Sequence, residues 1–250
     1  MRDWEHAGMP LKCENCGQRS SGFFSTLPEP AFSALESIKL RRQYPRGATI
    51  FMQGQAPKGA YVICSGRAKL FAGSEDGRTI ILRFSDPGEM LGLSALFIRS
   101  PYEESALAVE DACVSFLGRR ELLAVLEAYP EAALAALRQV SANYQQAQQQ
   151  LCALGLSTSV SDKLARLLLQ WCNSSSTADE VRIRRGHSHS DIAEMIGASR
   201  ETVTRLLGSF RDQGLVRFSK AELVIPDPAR LRSAIGAHRR NGYGNGNGKL

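Results

Sequence analysis

Apolar positions recur along this chain at two spacings, and the change from one to the other divides it. From Tyr44 to Leu117 they come in short runs broken by Gly47, Gly54, Gly59, Gly66, Gly73, Gly77, Gly88 and Gly92. Ile50 to Met52, Tyr61 to Cys64, Ala68 to Phe71, Thr79 to Phe84 and Ala112 to Leu117 are rich in β-branched and aromatic residues and predict strands. Strands so regularly punctuated predict a small all-β roll of the jelly-roll type, which can hold one small ligand between its sheets.

From about Pro130 to Leu154 the spacing becomes helical. Leu137, Val140, Tyr144, Ala147, Leu151 and Leu154 step by 3, 4, 3, 4, 3, the a/d seam of a coiled coil, with glutamines on the other faces. Such a seam argues for pairing with a second copy, and packing against the chain's own roll is the alternative. Gly155 to Ser161 reads as a hinge, followed by a helix through Leu164, Leu167, Leu168 and Trp171.

Ser190 to Val216 predicts two short helices hinged at Gly197. Ile192, Ala193 and Ile196 share a face of the first. Val203, Leu206, Leu207 and Phe210 form a buried stripe on the second, leaving Arg200, Glu201, Thr204 and Arg205 outside and Ser199 at the N-cap. In a helix-turn-helix reading head, the start of the second helix meets base edges in this way. Arg205 suits guanine O6 and N7, and Glu201 suits a cytosine amino group. Leu215 to Phe218 and Leu223 to Ile225, around a polar turn from Ser219 to Glu222, predict a wing with Lys220 at its tip near phosphate. An ordinary helical hairpin with a charged outer face is the competing reading, and the wing weighs against it. His187 and His189 read as capping groups or phosphate neighbours.

Charge follows the same division. Residues 151–250 hold 15 Lys and Arg against 9 Asp and Glu, and residues 1–150 hold 16 against 16, so the net charge of +6 lies in the C-terminal hundred. Phosphate neutralisation dominates affinity for DNA, and this imbalance gives the DNA-binding role to the C-terminal part. No apolar run reaches membrane-spanning length and the N-terminus lacks a signal-peptide pattern, so a soluble, cytoplasmic protein without membrane contact is expected. Six scattered cysteines do not make a disulfide framework. No nucleophile with its base, carboxylate pair or phosphate-cradling loop has convincing spacing, and an enzyme is not expected.

Roll, seam helix and winged head, in this order, resemble the Crp/Fnr family of bacterial transcription regulators over roughly residues 24–232. The strongest motif is SRETVTRLL, Ser199 to Leu207; PRGATIFMQG, YVICSGRAKL and PGEMLG match the family's roll in weaker patterns. The resemblance implies an α+β chain with a Cys-containing extension (1–23), a cyclic-nucleotide-binding-like double-stranded β-helix (24–128), a dimerisation helix (129–155), a winged helix-turn-helix (156–232) and a disordered tail (233–250). It implies a homodimer on two-fold double-stranded DNA, with a half-site related to TGTGA or TTGAT, and RNA polymerase as a further partner. Ser199, Arg200, Glu201, Thr204, Arg205 and Lys220 are the implied DNA contacts. A cyclic-nucleotide-type regulatory subunit of a kinase or channel is the alternative, but it would lack the winged head.

Departures bear on the signal. Cyclic-AMP-binding members carry a Gly-Glu pair for the ribose and, about ten residues later, an Arg-Ser pair for the phosphate. Here the pocket set is Gly92, Leu93, Ser94, Glu103, Glu104 and Ser105, with leucine for the first carboxylate and glutamate in the arginine's place. Leucine cannot accept a sugar hydroxyl and an uncompensated carboxylate repels phosphate, so cyclic AMP bound in the usual way is not expected unless Arg99 supplies a displaced cation. Oxygen-sensing members hold an iron-sulfur cluster on four cysteines. Cys13 and Cys16 resemble the first pair, a third falls near Gly22, and the roll cysteine falls near Ser115, two residues from Cys113. A redox-switchable thiol group, a cluster or zinc completed by an outside ligand such as His6, and inert thiols all remain open.

Overall fold

The computed structural model describes residues 22–157, 159–173, 180–184, 187–219 and 222–235. His6, Cys13, Cys16, Lys220 and residues 236–250 lie outside them. Contacts divide the chain into two units, residues 1–146 and 147–250.

The first unit opens with a 3-10 turn at Gly22–Thr26 and helix α1 at Glu29–Ser37. Eight strands follow: β1 Lys39–Tyr44, β2 Thr49–Phe51, β3 Gly59–Ser65, β4 Ala68–Gly73, β5 Thr79–Ser85, β6 Met90–Leu91, β7 Ser105–Ala108 and β8 Ala112–Gly118, with α2 at Leu93–Ile98 between β6 and β7. They pair into two four-stranded sheets of order β1-β8-β3-β6 and β2-β7-β4-β5, and every pairing is antiparallel. Helices α3 at Arg119–Ala128 and α4 at Pro130–Gly155 complete the roll's cover and leave it.

Two apolar layers hold this unit. Ile50, Phe51, Ile63, Leu70, Tyr102 and Val114 fill the space between the sheets. Phe24, Leu35, Val62, Met90, Leu122 and Val125 fill the space between the first sheet and the helices. Strand β3 is buried on both faces, which is why Tyr61 to Cys64 reads as an unbroken apolar run rather than an alternation. The expected boundary at residue 24 moves earlier, because Phe23 packs edge-on to Phe24 at 5.0 Å inside the helix-side layer. Met52, expected in a strand, lies exposed just beyond β2.

The second unit holds α5 at Val160–Asn173, β9 at Val181–Arg184, α6 at His189–Ile196, α7 at Arg200–Asp212, β10 at Arg217–Phe218, β11 at Glu222–Ile225 and α8 at Pro228–Ala234. The last three strands in chain order form an antiparallel sheet β10-β11-β9. The first wing strand is two residues shorter than expected: Leu215 is spent closing α7, its amide donating to Phe210 O at 2.8 Å. Helix α8 carries order past the expected tail start at residue 233, because Asp227 caps it, Pro228 opens it and Leu231 is fully buried.

Candidate functional site

Helix α6 begins with a reciprocal capping box. Asp191 N donates to Ser188 Oγ at 3.1 Å and Ser188 N donates to Asp191 Oδ2 at 2.8 Å, so Ser188, not either histidine, is the cap. His187 stacks instead on the Trp171 indole, 4.6 Å between ring centres. The helix ends at Gly197, whose φ of 63° is a left-handed conformation that glycine adopts without strain. This turn delivers the chain into α7, capped by Ser199 Oγ accepting from Thr202 N at 3.2 Å.

Val203, Leu207 and Phe210 of α7 are buried, with Ile192, Ala193, Met195 and Ile196 of α6. Leu206, expected in the stripe, is half-buried. Arg200, Glu201, Thr204 and Arg205 are all exposed, and successive positions at 200, 201, 204 and 205 share one face of a helix. The charged side chains of Arg200, Glu201 and Arg205 make no ion pair or side-chain hydrogen bond among the described residues. Two cations, an anion and a hydroxyl are thus presented outward on an apolar backing. In the wing, Arg217 is tied to Glu180 at 2.9 Å.

The roll positions of interest gather around α2. Gly92 caps that helix with φ 78°, and a Cβ there would meet the Tyr102 ring at 2.8 Å. Leu93 is buried in the helix-side layer and Ser94 is exposed. Glu103 is exposed, whereas Ser105 is buried with its Oγ accepting from Gln53 N at 2.9 Å. Burial pushes the Glu104 carboxyl above its ordinary range, opposed by Arg83 and reinforced by Glu103. Arg99 is exposed at the C-terminus of α2. A cation that does lie inside the roll is Arg83, 8% exposed, cross-strand from Leu70 of the inter-sheet core and bonded to Glu89 at 2.6 Å. A charged residue at an inward position of the strand TIILRFS was the signal for it. Ser85, on the same face, is fully buried and its hydroxyl has no hydrogen-bond partner among the described residues.

Along α4, Leu137, Tyr144 and Leu151 are 60%, 63% and 71% exposed, and Ala147 is exposed with them. Leu134, 52% exposed, adds to this set. Val140 packs partly on the helix-side layer of the roll, and Leu154 is half-buried. Cys113 is buried on β8, and Cys64 Sγ lies 3.0 Å from Ser115 Oγ. No cluster of three or more His, Cys, Asp or Glu suited to a metal occurs among the described residues. Nor is any described helix long and apolar enough to cross a membrane.

Residues 41–129 match the model of the cyclic nucleotide-binding domain, and residues 162–234 match the Crp-like helix-turn-helix domain. The cyclic AMP receptor protein of Thermus thermophilus is 31% identical over 214 residues, 84% of this chain and 94% of that protein. The chain belongs to the Crp/Fnr family. It is a DNA-binding transcription regulator of that type. A CRP-like cAMP-activated global transcriptional regulator of Mycobacterium tuberculosis is 29% identical over 213 residues, 84% of this chain and 95% of that one. In fold, FixK2 from Bradyrhizobium japonicum superposes with a TM-score of 0.68 at 22% identity, covering 78% of this chain and 96% of that chain.

Proposed function

We propose that this Crp/Fnr regulator works as a homodimer paired through α4, reads a two-fold DNA site with Ser199, Arg200, Glu201, Thr204 and Arg205, acts on transcription by RNA polymerase, and answers to a signal other than cyclic AMP bound in the usual way. The observation that carries the DNA role is the exposed polar quartet of α7 against its buried Val203, Leu207 and Phe210. Pairing is supported by Leu137, Tyr144 and Leu151, large apolar side chains left in solvent at seam spacing.

Two of the relatives are named for cyclic AMP, yet the residues of this roll do not fit it. Leu93 offers no acceptor for a ribose hydroxyl. By resemblance the place of the phosphate-binding arginine falls on Glu103 or Glu104, and the nearby Arg83 already satisfies Glu89. An anion entering here would meet a pair that is neutral overall and a further carboxyl.

The test is selection of duplexes from a random library by the full-length protein, followed by binding to the selected site at two salt concentrations with and without cyclic AMP. Enrichment of a two-fold sequence, loss of affinity with salt and indifference to cyclic AMP are expected. Binding without sequence preference would end the reading, and tightening by cyclic AMP would end its second half.

A further inference from the structure

Thr204 lies on the exposed face of α7 with its hydroxyl held twice. Its Oγ1 is 2.9 Å from the carbonyl oxygen of Arg200, one turn back, and 2.8 Å from Nδ1 of His189, the first residue of α6. A hydroxyl has one proton to give. The Arg200 carbonyl has none, and two bare oxygens at hydrogen-bonding distance would repel, so the Thr204 proton points to that carbonyl. His189 Nδ1 is then the donor of the second bond. This fixes a proton on Nδ1 whether the ring is neutral or charged. What Thr204 retains for a duplex is a methyl group and one lone pair.

We propose that His189 is a positioning residue for base reading: by donating to Thr204 Oγ1 it takes one lone pair and, together with the Arg200 carbonyl that takes the proton, holds the hydroxyl so that Thr204 presents a methyl and an acceptor, never a donor, to the major groove. The base beneath is thereby selected for thymine, whose C5-methyl the threonine methyl can touch, and against guanine, whose groove edge offers only acceptors. This rests on the DNA-reading role proposed above for α7. Phosphate binding by the same ring makes a different demand. A phosphate contact weakens binding on every sequence alike and lowers the salt slope by about one. A positioning contact changes the choice of base at one position.

The experiment is duplex selection with the full-length wild type, His189→Ala, His189→Asn and Thr204→Ser, with melting curves for each. An asparagine amide nitrogen can stand where Nδ1 stands. The wild type enriches thymine at one position of each half-site, and deoxyuridine there weakens binding about four-fold, the worth of one buried methyl. His189→Ala and Thr204→Ser lose both the enrichment and the deoxyuridine penalty, whereas His189→Asn keeps them. Unchanged base preference in His189→Ala with a uniform fall in affinity overturns the inference, as does a His189→Asn variant that melts like the wild type but has lost the thymine preference. A wild type that selects no sequence overturns instead the DNA-reading role itself.

Discussion

Arg83 Nη1 donates to Glu89 Oε2 at 2.6 Å across the turn from β5 to β6, with Arg83 almost entirely out of solvent. Removing one partner of a buried pair strands a charge and costs roughly 3–5 kcal/mol, and replacing both with apolar residues often costs nothing. Glu89 retains some exposure, so Glu89→Ala is expected at the lower end, about 3 kcal/mol by urea denaturation. The double change Arg83→Leu with Glu89→Leu recovers most of that. A Glu89→Ala protein as stable as the wild type would show that the pair does not hold the roll's interior.

Glu104 has the opposite standing, a carboxyl held above its ordinary value of 4.5 chiefly by burial. The folded chain keeps this proton at pH values where the unfolded chain has lost it. The contribution is therefore fully present below the ordinary value of 4.5 and is lost as pH rises through the raised folded value. Glu104→Gln removes the titration. At neutral pH it melts above the wild type, and the gap closes as the pH falls below the ordinary glutamate value. A gap that does not change with pH would assign the effect to packing.

The winged head was legible because its function and its packing both act through one helical period. Val203, Leu207 and Phe210 fall inward, and Arg200, Glu201, Thr204 and Arg205 are left out, by the same 3.6-residue repeat. The roll was legible only where strands are apolar. Strand β1, KLRRQY, pairs with β8 alone at the edge of its sheet, and its charges disguised it. The short strands β6, β7 and β9 carry too few residues to show an alternation. The bond from His189 to Thr204 spans 15 residues and depends on the angle between two helices, which no local pattern encodes. Arg83 was in view as a charge within an apolar strand, but only its cross-strand partner Leu70 assigns it to the interior.

Positions on α4 separate into those that serve the roll and those left over. Leu137 and Leu151 are exposed, whereas Val140 packs on the helix-side layer. Changing Leu137 and Leu151 together to Glu is expected to give a monomer by sedimentation equilibrium while the melting temperature of the roll barely moves. Affinity for a two-fold duplex then falls about 100-fold, because the second head no longer binds as part of the same molecule. Val140→Glu, in contrast, lowers the melting temperature by burying an unpaired charge. Persistence of the dimer in the double variant would remove the seam from the pairing surface.

Arg205 and Val203 stand two residues apart on α7 and should fail in different ways. Arg205 is exposed and bonded to nothing else among the described residues, so Arg205→Ala leaves melting unchanged. It costs about 1–3 kcal/mol on the selected site and relaxes one base position. Arg217, held by Glu180 in the wing, offers the comparison within the same unit. Arg217→Ala changes affinity on all sequences alike and relaxes no base. Val203 is fully buried, and Val203→Ala lowers stability by about 1–3 kcal/mol while keeping the site preference of whatever protein remains folded. Quantitative binding to the selected site and its single-base variants, read beside melting curves, separates the three. If Arg205→Ala weakened every sequence equally, the guanidinium would be a phosphate contact, and base reading would fall to Arg200, Glu201 and Thr204.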